Sequence, residues 1–579
     1  MNIFKTFQEL LAQIIQQTFP RLVLAEHAIV VEAPKDPSHG DLATNAAMVL
    51  AKKVGQNPLD LAKNLLAKLS DLEIVESVAV APPGFINIRL KNSAWHELLK
   101  QVLSLKAEYG KCDLGKGKKV NVEYVSCNPT GPMHIGHARG AVYGDVLANI
   151  LAKCGYEVLR EFYVNDAGSQ INVLAETVWL RYQGYVNGVE VKIPDGLYPG
   201  DYLIPIAQKL AQQFPGQLTR EHFMQIKTFA VNEMMELVKA DLADLGIKHD
   251  VFFSEQTLHD QGIITKVVEQ LKDRDIIYEG ILPEPKGKKH QEWDSRKQLL
   301  FKTSDFGDDQ DRPLQKADGS WTYFAADVAY FENKIQRGFD KLVLVLGADH
   351  AGYIKRSEAV VKSIDPSKEC IIKTCQLVNY LKGGKAMKMS KRAGEFLTVK
   401  DIIELVGKDV IRFMMLTRKN DVIIDFDIDA LYEYSKDNPV FYVQYAYARI
   451  CSVFTNAKDN IPAALAKLNT SQIDFSLLSL EQELDLIKII AQWPKILESS
   501  ALFFEPHRVV FYLQNLASQF HHLWSLEFNA VAYRFVTADA DVTASRLSLA
   551  YAVQILLRQG LELLGVEPME KMSRRIADN

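Results

Sequence analysis

His134 and His137 lie three residues apart, so on a helix their imidazoles share a face. They directly follow Asn128-Pro129-Thr130-Gly131-Pro132-Met133, a run of turn residues, and the helical spacing of Ile135, Ala138, Val142 and Val146 starts with them. A helix start leaves backbone N–H groups unpartnered and favours an anion there. Two ring donors at such an end suit the stabilisation of negative charge on a phosphate in transfer. Gly136, between the rings, gives a ligand access to the backbone. A His-x-x-His pair alone is more often structural, so its meaning depends on its surroundings.

Two further groupings could act with it. In Gly383-Gly384-Lys385-Ala386-Met387-Lys388-Met389-Ser390-Lys391-Arg392-Ala393-Gly394, glycines flank a cluster of cations, as a phosphate-gripping loop requires. Most basic loops are merely solvated. Tyr323 and Asp327 are four apart and share a helical face, where a carboxylate beside a phenol suits a planar guanidinium. On spacing alone, Asp327 reads as a surface carboxylate.

These residues need elements to hold them. Val120 to Val125 alternates as a strand, and Gly155 to Val164 reads as a second one. Asn165-Asp166 then opens a helix, with Asp166 a natural cap. Lys341 to Leu346 is apolar throughout, as in a strand covered on both faces, and ends in Gly347-Ala348-Asp349-His350. Strand, turn and helix in this order predict a Rossmann-type parallel sheet with its ligands at the carboxyl ends.

The expected architecture is multidomain α/β. Residues 1–110 form a small N-terminal α/β domain. It opens on an amphipathic helix with Phe4, Phe7, Leu10, Leu11, Ile14 and Ile15, followed by a strand near 28–32. A helix carrying Leu42, Ala46, Ala47, Val49 and Leu50 comes next, and Phe85–Arg89 is an edge strand. The Gly- and Lys-rich link 109–119 leads to a catalytic domain over 111–430, with a mainly helical insertion at about 180–320. Residues 431–579 form an all-helical domain, dispensable for folding of the catalytic core. Its aromatic stripe of Phe441, Tyr445 and Tyr447 reads as core.

The chain has 579 residues, 48% hydrophobic and 24% charged, an ordinary globular balance for about three or four domains. No apolar run approaches the roughly 20 residues of a membrane span, and residues 1–20 are not a signal peptide. With a net charge of −5, nucleic-acid contact must come from local basic patches. Six scattered cysteines without metal-type spacing read as reduced cytosolic thiols, and no protein-bound zinc or other metal is expected.

Asn128-Pro129-Thr130-Gly131-Pro132-Met133-His134-Ile135-Gly136-His137-Ala138 resembles the first signature of class I aminoacyl-tRNA synthetases, most closely the bacterial-type arginyl-tRNA synthetases. Lys388-Met389-Ser390-Lys391 matches the second signature, with Arg392 where many members have Ser. The stretch from His39 to Met48 resembles that family's N-terminal extension, which contacts the outer corner of tRNA. The stretch from Asn438 to Ile450 resembles the entry to its anticodon-binding domain.

The resemblance implies ligation of L-arginine to tRNA(Arg) through arginyl-adenylate, with ATP and Mg²⁺, by a cytoplasmic monomer that activates arginine only with tRNA bound. It implies His134, His137, Lys388 and Lys391 as catalytic. Pro132, Gly136, Gly347, Asp349, Met389 and Ser390 join the histidines around ATP. Asn128, Asp166, Tyr323 and Asp327 surround arginine, and Glu157 is a second acidic candidate. A small-molecule nucleotidyltransferase or a non-catalytic RNA-binding paralogue could carry parts of this pattern. Intact signature histidines and lysines argue against the second, and the large flanking domains against the first.

Overall fold

A computed structural model describes residues 2–22, 29–282, 296–387, 397–432, 438–469, 472–527 and 530–572. The first helix, α1 (Ile3–Thr18), buries Phe4, Phe7, Leu11, Ile14 and Ile15 on one face and is capped by the Asn2 side chain. Four antiparallel strands follow: β1 (Val31–Glu32), β2 (Leu42–Thr44), β3 (Val75–Ala81) and β4 (Phe85–Leu90), in the order β1-β2-β4-β3. Helices α2 (Ala46–Val54) and α3 (Pro58–Ser70) cover this sheet, and α4 (Asn92–Leu105) leads onward. Leu42 therefore lies in a strand, not in the expected helix, because its short apolar alternation reads equally at period two. Phe85–Arg89 is not an edge strand; β4 pairs on both sides, with β2 and β3.

The catalytic domain is built on five parallel strands. They are β5 (Lys119–Glu123), β6 (Glu157–Val164), β7 (Val251–Ser254), β8 (Lys341–Gly347) and β9 (Glu369–Cys375), in the order β9-β8-β5-β6-β7. Chain order runs one way from β5 through β6 to β7 and the other way through β8 to β9. The switch point lies beside β5, where open sheets of this kind bind ligands. In β8, Leu342, Val343, Leu344 and Val345 are all buried, as the unbroken apolar run requires.

The crossover from β5 to β6 is α5 (Ile135–Lys153). Between β6 and β7 stand α6 (Ser169–Asn187), α7 (Leu203–Gln213) and α8 (Phe223–Asp244), around a separate cluster including Leu174, Tyr182, Leu203, Leu210 and Met234. The mainly helical insertion expected at about 180–320 is helical as far as α8, and the chain then returns to the sheet at β7. Beyond α9 (Glu255–Asp260) and α10 (Ile263–Asp273) it adds a small antiparallel sheet over 277–313. Next come α11 (Tyr323–Gln336), capped by the Thr322 hydroxyl, and α12 (Ile354–Ile364). A second three-stranded sheet, covering 378–382, 385–386 and 424–427, precedes the C-terminal helices. Helices α13 (Val399–Val406) and α14 (Lys408–Met414) lie within its span.

The C-terminal bundle packs α15 (Pro439–Asn460), α16 (Pro462–Asn469), α17 (Glu481–Ile490), α18 (Trp493–Phe503), α19 (His507–Leu526) and α20 (Ala540–Leu564). Phe441 and Tyr447 are core residues, as expected, and Tyr445 is partly exposed beneath the Arg449 guanidinium, 4.2 Å from its ring centre. The bundle is not a detachable unit. One continuous apolar core runs from α1 through α5 to α20. The Tyr143 hydroxyl on α5 donates to the Phe504 carbonyl, and Asn149 Nδ2 donates to the Leu563 carbonyl at 3.0 Å.

Arg412 is the tightest of these ties. Fully buried on α14, it donates to the carbonyls of Leu564 (2.6 Å) and Leu245 (2.9 Å) and to the Asp145 carboxylate (2.5 Å). One guanidinium thereby joins the bundle, the end of α8 and the signature helix. Replacing Arg412 with Ala leaves two buried carbonyls unpaired and Asp145 with the more distant Arg160 at 4.0 Å, and should cost about 3–5 kcal/mol. Urea denaturation followed by circular dichroism will read this as an earlier midpoint; an unchanged midpoint would refute the role.

Candidate active site

At the carboxyl end of β5, Val125 and Ser126 adopt left-handed backbone conformations, φ 71° and 39°. A β-branched residue rarely does so, and such strain persists only where the surroundings enforce it. Here Ser126 Oγ accepts the Tyr163 N–H of β6 at 3.0 Å, which fixes the bend. Gly144 on α5 lets the Tyr124 ring lie against the helix; a Cβ at that position would come within 2.2 Å of it. The strand thus turns sharply into the Asn128–Met133 run and enters α5 at His134.

His134 is the N-cap of α5. Its Nδ1 accepts the Gly136 N–H at 3.2 Å, and His137 Nδ1 accepts the His134 N–H at 3.3 Å, a reciprocal capping box. The rings stack with centres 3.8 Å apart. Because each Nδ1 accepts, the proton of each neutral ring sits on Nε2. This corrects the expectation of open backbone donors at two positions: the His134 and Gly136 N–H groups are occupied by the rings.

The turn is gripped from outside. The Tyr202 hydroxyl donates to the Thr130 carbonyl at 2.8 Å and sits where a Cβ on Gly131 would be 3.2 Å away. Asp241 Oδ2 accepts the Met133 N–H at 2.7 Å, while the Met133 carbonyl accepts the Val399 N–H at 2.8 Å. Thr398 pairs with His134 as an isolated bridge and caps α13. Arg139, on the first turns of α5, is buried and donates to the carbonyls of Gln376 (2.8 Å) and Lys419 (2.9 Å). Lys388, Met389, Ser390, Lys391 and Arg392 lie outside the described residues. So does the basic run Lys286–His290. The chain flanking the second signature reaches the first through Thr398 and Val399.

Three carboxylates, Asp327, Glu255 and Glu123, face one another near the carboxyl ends of the strands. Asp327, on the second turn of α11, is partly buried, and among the described residues no hydrogen bond reaches its carboxylate. Burial, then Glu255 and Glu123, push it up to about 7, against the pull of Arg356. Glu255 is buried beside it and raised in turn by burial; it bonds the Tyr163 phenol, and His259 Nε2 stands 3.8 Å off. Asp166 accepts from Ser254 Oγ (2.6 Å) and the Gln256 N–H (2.8 Å), so it caps α9 instead of its own helix. Tyr323 is exposed, its hydroxyl 3.9 Å from a Cβ position on Gly168. Asn128 donates to Gln170 at 3.1 Å.

Beneath the pocket, Lys334 pairs with Glu123, both buried. Glu161 takes both arms of Arg337 (2.6 and 2.8 Å), the Tyr330 hydroxyl (2.6 Å) and Asn121 Nδ2 (3.0 Å). Its burial works against ionisation, yet these donors win and hold it below the usual carboxylate range. Tyr323, Asp327, Tyr330, Lys334 and Arg337 form one stripe of α11. That spacing was available in the sequence; Glu255, Tyr202 and Asp241 gave no signal, since only the fold brings them near.

The structure thus places Asn128, Asp166, Tyr323 and Asp327 around the carboxyl ends of β5, β6 and β7, where Asn128 meets Gln170, Asp166 meets Ser254 and Tyr323 lies over Gly168. Gly347 ends β8, and Asp349, exposed, leans toward His350 at 3.6 Å. Glu157 is not part of this group. It is exposed at the amino end of β6, opposite Lys119 of β5 and at the other end of the strands. Among the described residues no cluster of His, Cys, Asp or Glu could hold a metal ion, and no helix is long and apolar enough to cross a membrane.

Comparison with known proteins matches three family models: an arginyl tRNA synthetase N terminal domain over 5–90, the tRNA synthetases class I (R) catalytic domain over 98–196, and a DALR anticodon binding domain over 443–572. The arginine–tRNA ligase of Rickettsia bellii (strain OSU 85-389) is 50% identical over 578 residues, 99% of this chain and 100% of the relative. That of Rickettsia felis (strain ATCC VR-1525 / URRWXCal2) is 49% identical over the same shares. The Thermus thermophilus arginyl-tRNA synthetase structure, 21% identical, covers 98% of this chain and 100% of its own with a TM-score of 0.71. The Plasmodium falciparum one, 18% identical, covers 99% of each with 0.73. The two structures carry the fold, and the full-length identity carries the family: the chain belongs to the arginyl-tRNA synthetases, the class I arginine–tRNA ligases.

Proposed function

We propose that this synthetase performs its reaction with the residues gathered at the carboxyl end of its sheet. The enzyme ligates L-arginine to its cognate tRNA in two steps. Arginine's carboxylate attacks the α-phosphorus of ATP and pyrophosphate departs; a hydroxyl of the 3′-terminal ribose then attacks the adenylate carbonyl and AMP departs. ATP enters as its Mg²⁺ complex. His134 and His137 direct their Nε2–H donors at the α-phosphate, Pro132 and Gly136 give the nucleotide room, and Gly347 and Asp349 receive its ribose. Lys388 and Lys391, with Met389 and Ser390 between them, neutralise the leaving pyrophosphate. No covalent nucleophile is needed; positioning and charge stabilisation suffice.

The observation that carries the arginine assignment is Asp327, a partly buried carboxylate crowded by Glu255 and Glu123, with Arg356 the cation that counters them. A guanidinium brings planar donors and a permanent charge to that place. Tyr323 borders it, and Asn128 and Asp166 lie toward the amino-acid head. Lysine's compact ammonium would leave acceptors unpaired there, which suits rejection without editing. The tRNA is read by the N-terminal and C-terminal domains of a cytoplasmic monomer. In the N-terminal stretch Asp41 accepts the Leu90 N–H and pairs with Lys488, and Asn45 holds the Val30 N–H. His39, exposed on its 3₁₀ turn, is the residue left facing outward.

His134→Ala and His137→Ala should each slow adenylate formation by about 10²–10³-fold with little change in the KM for arginine. Single-turnover rates with tRNA present measure this, and wild-type rates in both variants would remove the histidines from the mechanism.

Asp327→Asn should raise the KM for arginine on the order of 100-fold and leave that for ATP nearly unchanged. The same carboxylate sets a pH dependence. Its raised pKa leaves it protonated below about 7, and only the ionised form pairs with the guanidinium. The KM for arginine should therefore climb about tenfold per pH unit below 7 and level off above it. Profiles from pH 6 to 8.5 that run parallel in wild type and Asp327→Asn would sink the assignment.

A further inference from the structure

Met133 stands between the signature turn and the first histidine, and both of its backbone polar groups are taken by distant elements. Its carbonyl accepts from Val399, just after the second signature. Its N–H donates to Asp241, which is buried near the end of α8. Three residues upstream, the Thr130 carbonyl accepts from Tyr202 at the start of α7. Two side chains of the insertion thus hold the backbone on either side of Gly131-Pro132. Helix α8 can bear such a load because it is anchored in two cores: Ile226, Ala230 and Met234 lie in the insertion's own cluster, Val231, Met235, Val238 and Leu242 in the main core.

We propose that Asp241, assisted by Tyr202, is a positioning residue for adenylate formation, clamping the signature turn so that Pro132 and His134 meet ATP in one geometry. This rests on the reading that His134 faces the nucleotide. A charge-assisted N–H bond is short and directional, as at 2.7 Å, and suits a clamp better than a neutral acceptor. The insertion, beyond filling space between β6 and β7, becomes a brace for the nucleotide site.

The charged groups facing Asp241 are Asp244 on its own helix and Lys400 and Asp401 on α13. Burial raises the carboxyl first; the Met133 N–H opposes, Asp244 raises, Lys400 opposes and Asp401 raises, leaving it at about 6. Below that pH the acceptor loses its charge and the clamp loosens.

The test is ATP–pyrophosphate exchange with arginine and tRNA on Asp241→Ala, Asp241→Asn, Tyr202→Phe and His134→Ala, with melting temperatures alongside. Asp241→Ala should lower kcat/KM for ATP tenfold or more and leave the KM for arginine within threefold. Asp241→Asn, which keeps a neutral acceptor, should recover only part of the loss at pH 7.5 and hold that level as the pH falls past 6, where the wild type declines toward it. Tyr202→Phe should fall between wild type and Asp241→Ala. The clamp is overturned if Asp241→Ala and Tyr202→Phe keep wild-type kcat/KM for ATP, if the Asn variant is as poor as the Ala variant, or if its pH profile matches the wild type. Should Asp241→Ala fail to fold, the Asn profile and Tyr202→Phe still decide. A His134→Ala enzyme with normal exchange would instead remove the underlying reading, whatever Asp241 does.

Discussion

Two carboxylates in the middle of the parallel sheet dictate much of this molecule. Glu123 on β5 and Glu161 on β6 are buried in neighbouring strands, where neither could stay ionised alone. Their counter-charges, Lys334 and Arg337, come from a single helix, so α11 has one rotation and one height that satisfy both. The exchange of salt bridges for hydrophobes is often neutral for stability, but it would lose this geometric selection. With the lower half of α11 pinned, its upper turns have no freedom left. Tyr323 and Asp327 are presented over the carboxyl ends of the strands as a result. The specificity pocket is thereby an extension of the ion pairs beneath it.

The parts legible in the sequence were those governed by local rules. Periodicity located α1, β5 and β8, and the Gly-Pro turn before His134 marked the switch from strand to helix. Local rules failed where pairing partners decide. Leu42 could not be assigned to a strand without β4, and Phe85–Arg89 could not be seen as interior without β2. The tie from Asp166 to Gln256 was invisible for the same reason, as it joins residues far apart in the chain. Asp241 offered no cue at all, being an acidic residue in an otherwise ordinary helix.

Domain limits read from composition also concealed how the units cohere. The shift to helix after the second signature suggested a separable module, yet the bundle shares the core of the catalytic sheet. The N-terminal domain is likewise tied down, with Asn2 donating to Glu498 at 2.8 Å and Lys495 donating to the Val31 carbonyl at 2.8 Å. Linker composition reports where a chain is exposed, whereas cohesion depends on which faces remain apolar, and here those faces meet.

Helix α5 carries a restriction of another kind. Its first residues form the histidine cap, and further along the same rod Tyr143 and Asn149 fasten to the bundle through Phe504 and Leu563. One residue inserted between His137 and Tyr143 would advance the helix by about 1.5 Å and turn it through about 100°. The cap and the bundle could not then both keep their partners. The spacing between signature and anchor is therefore quantised: substitutions along α5 can be absorbed one at a time, while any change in its length has to be refused.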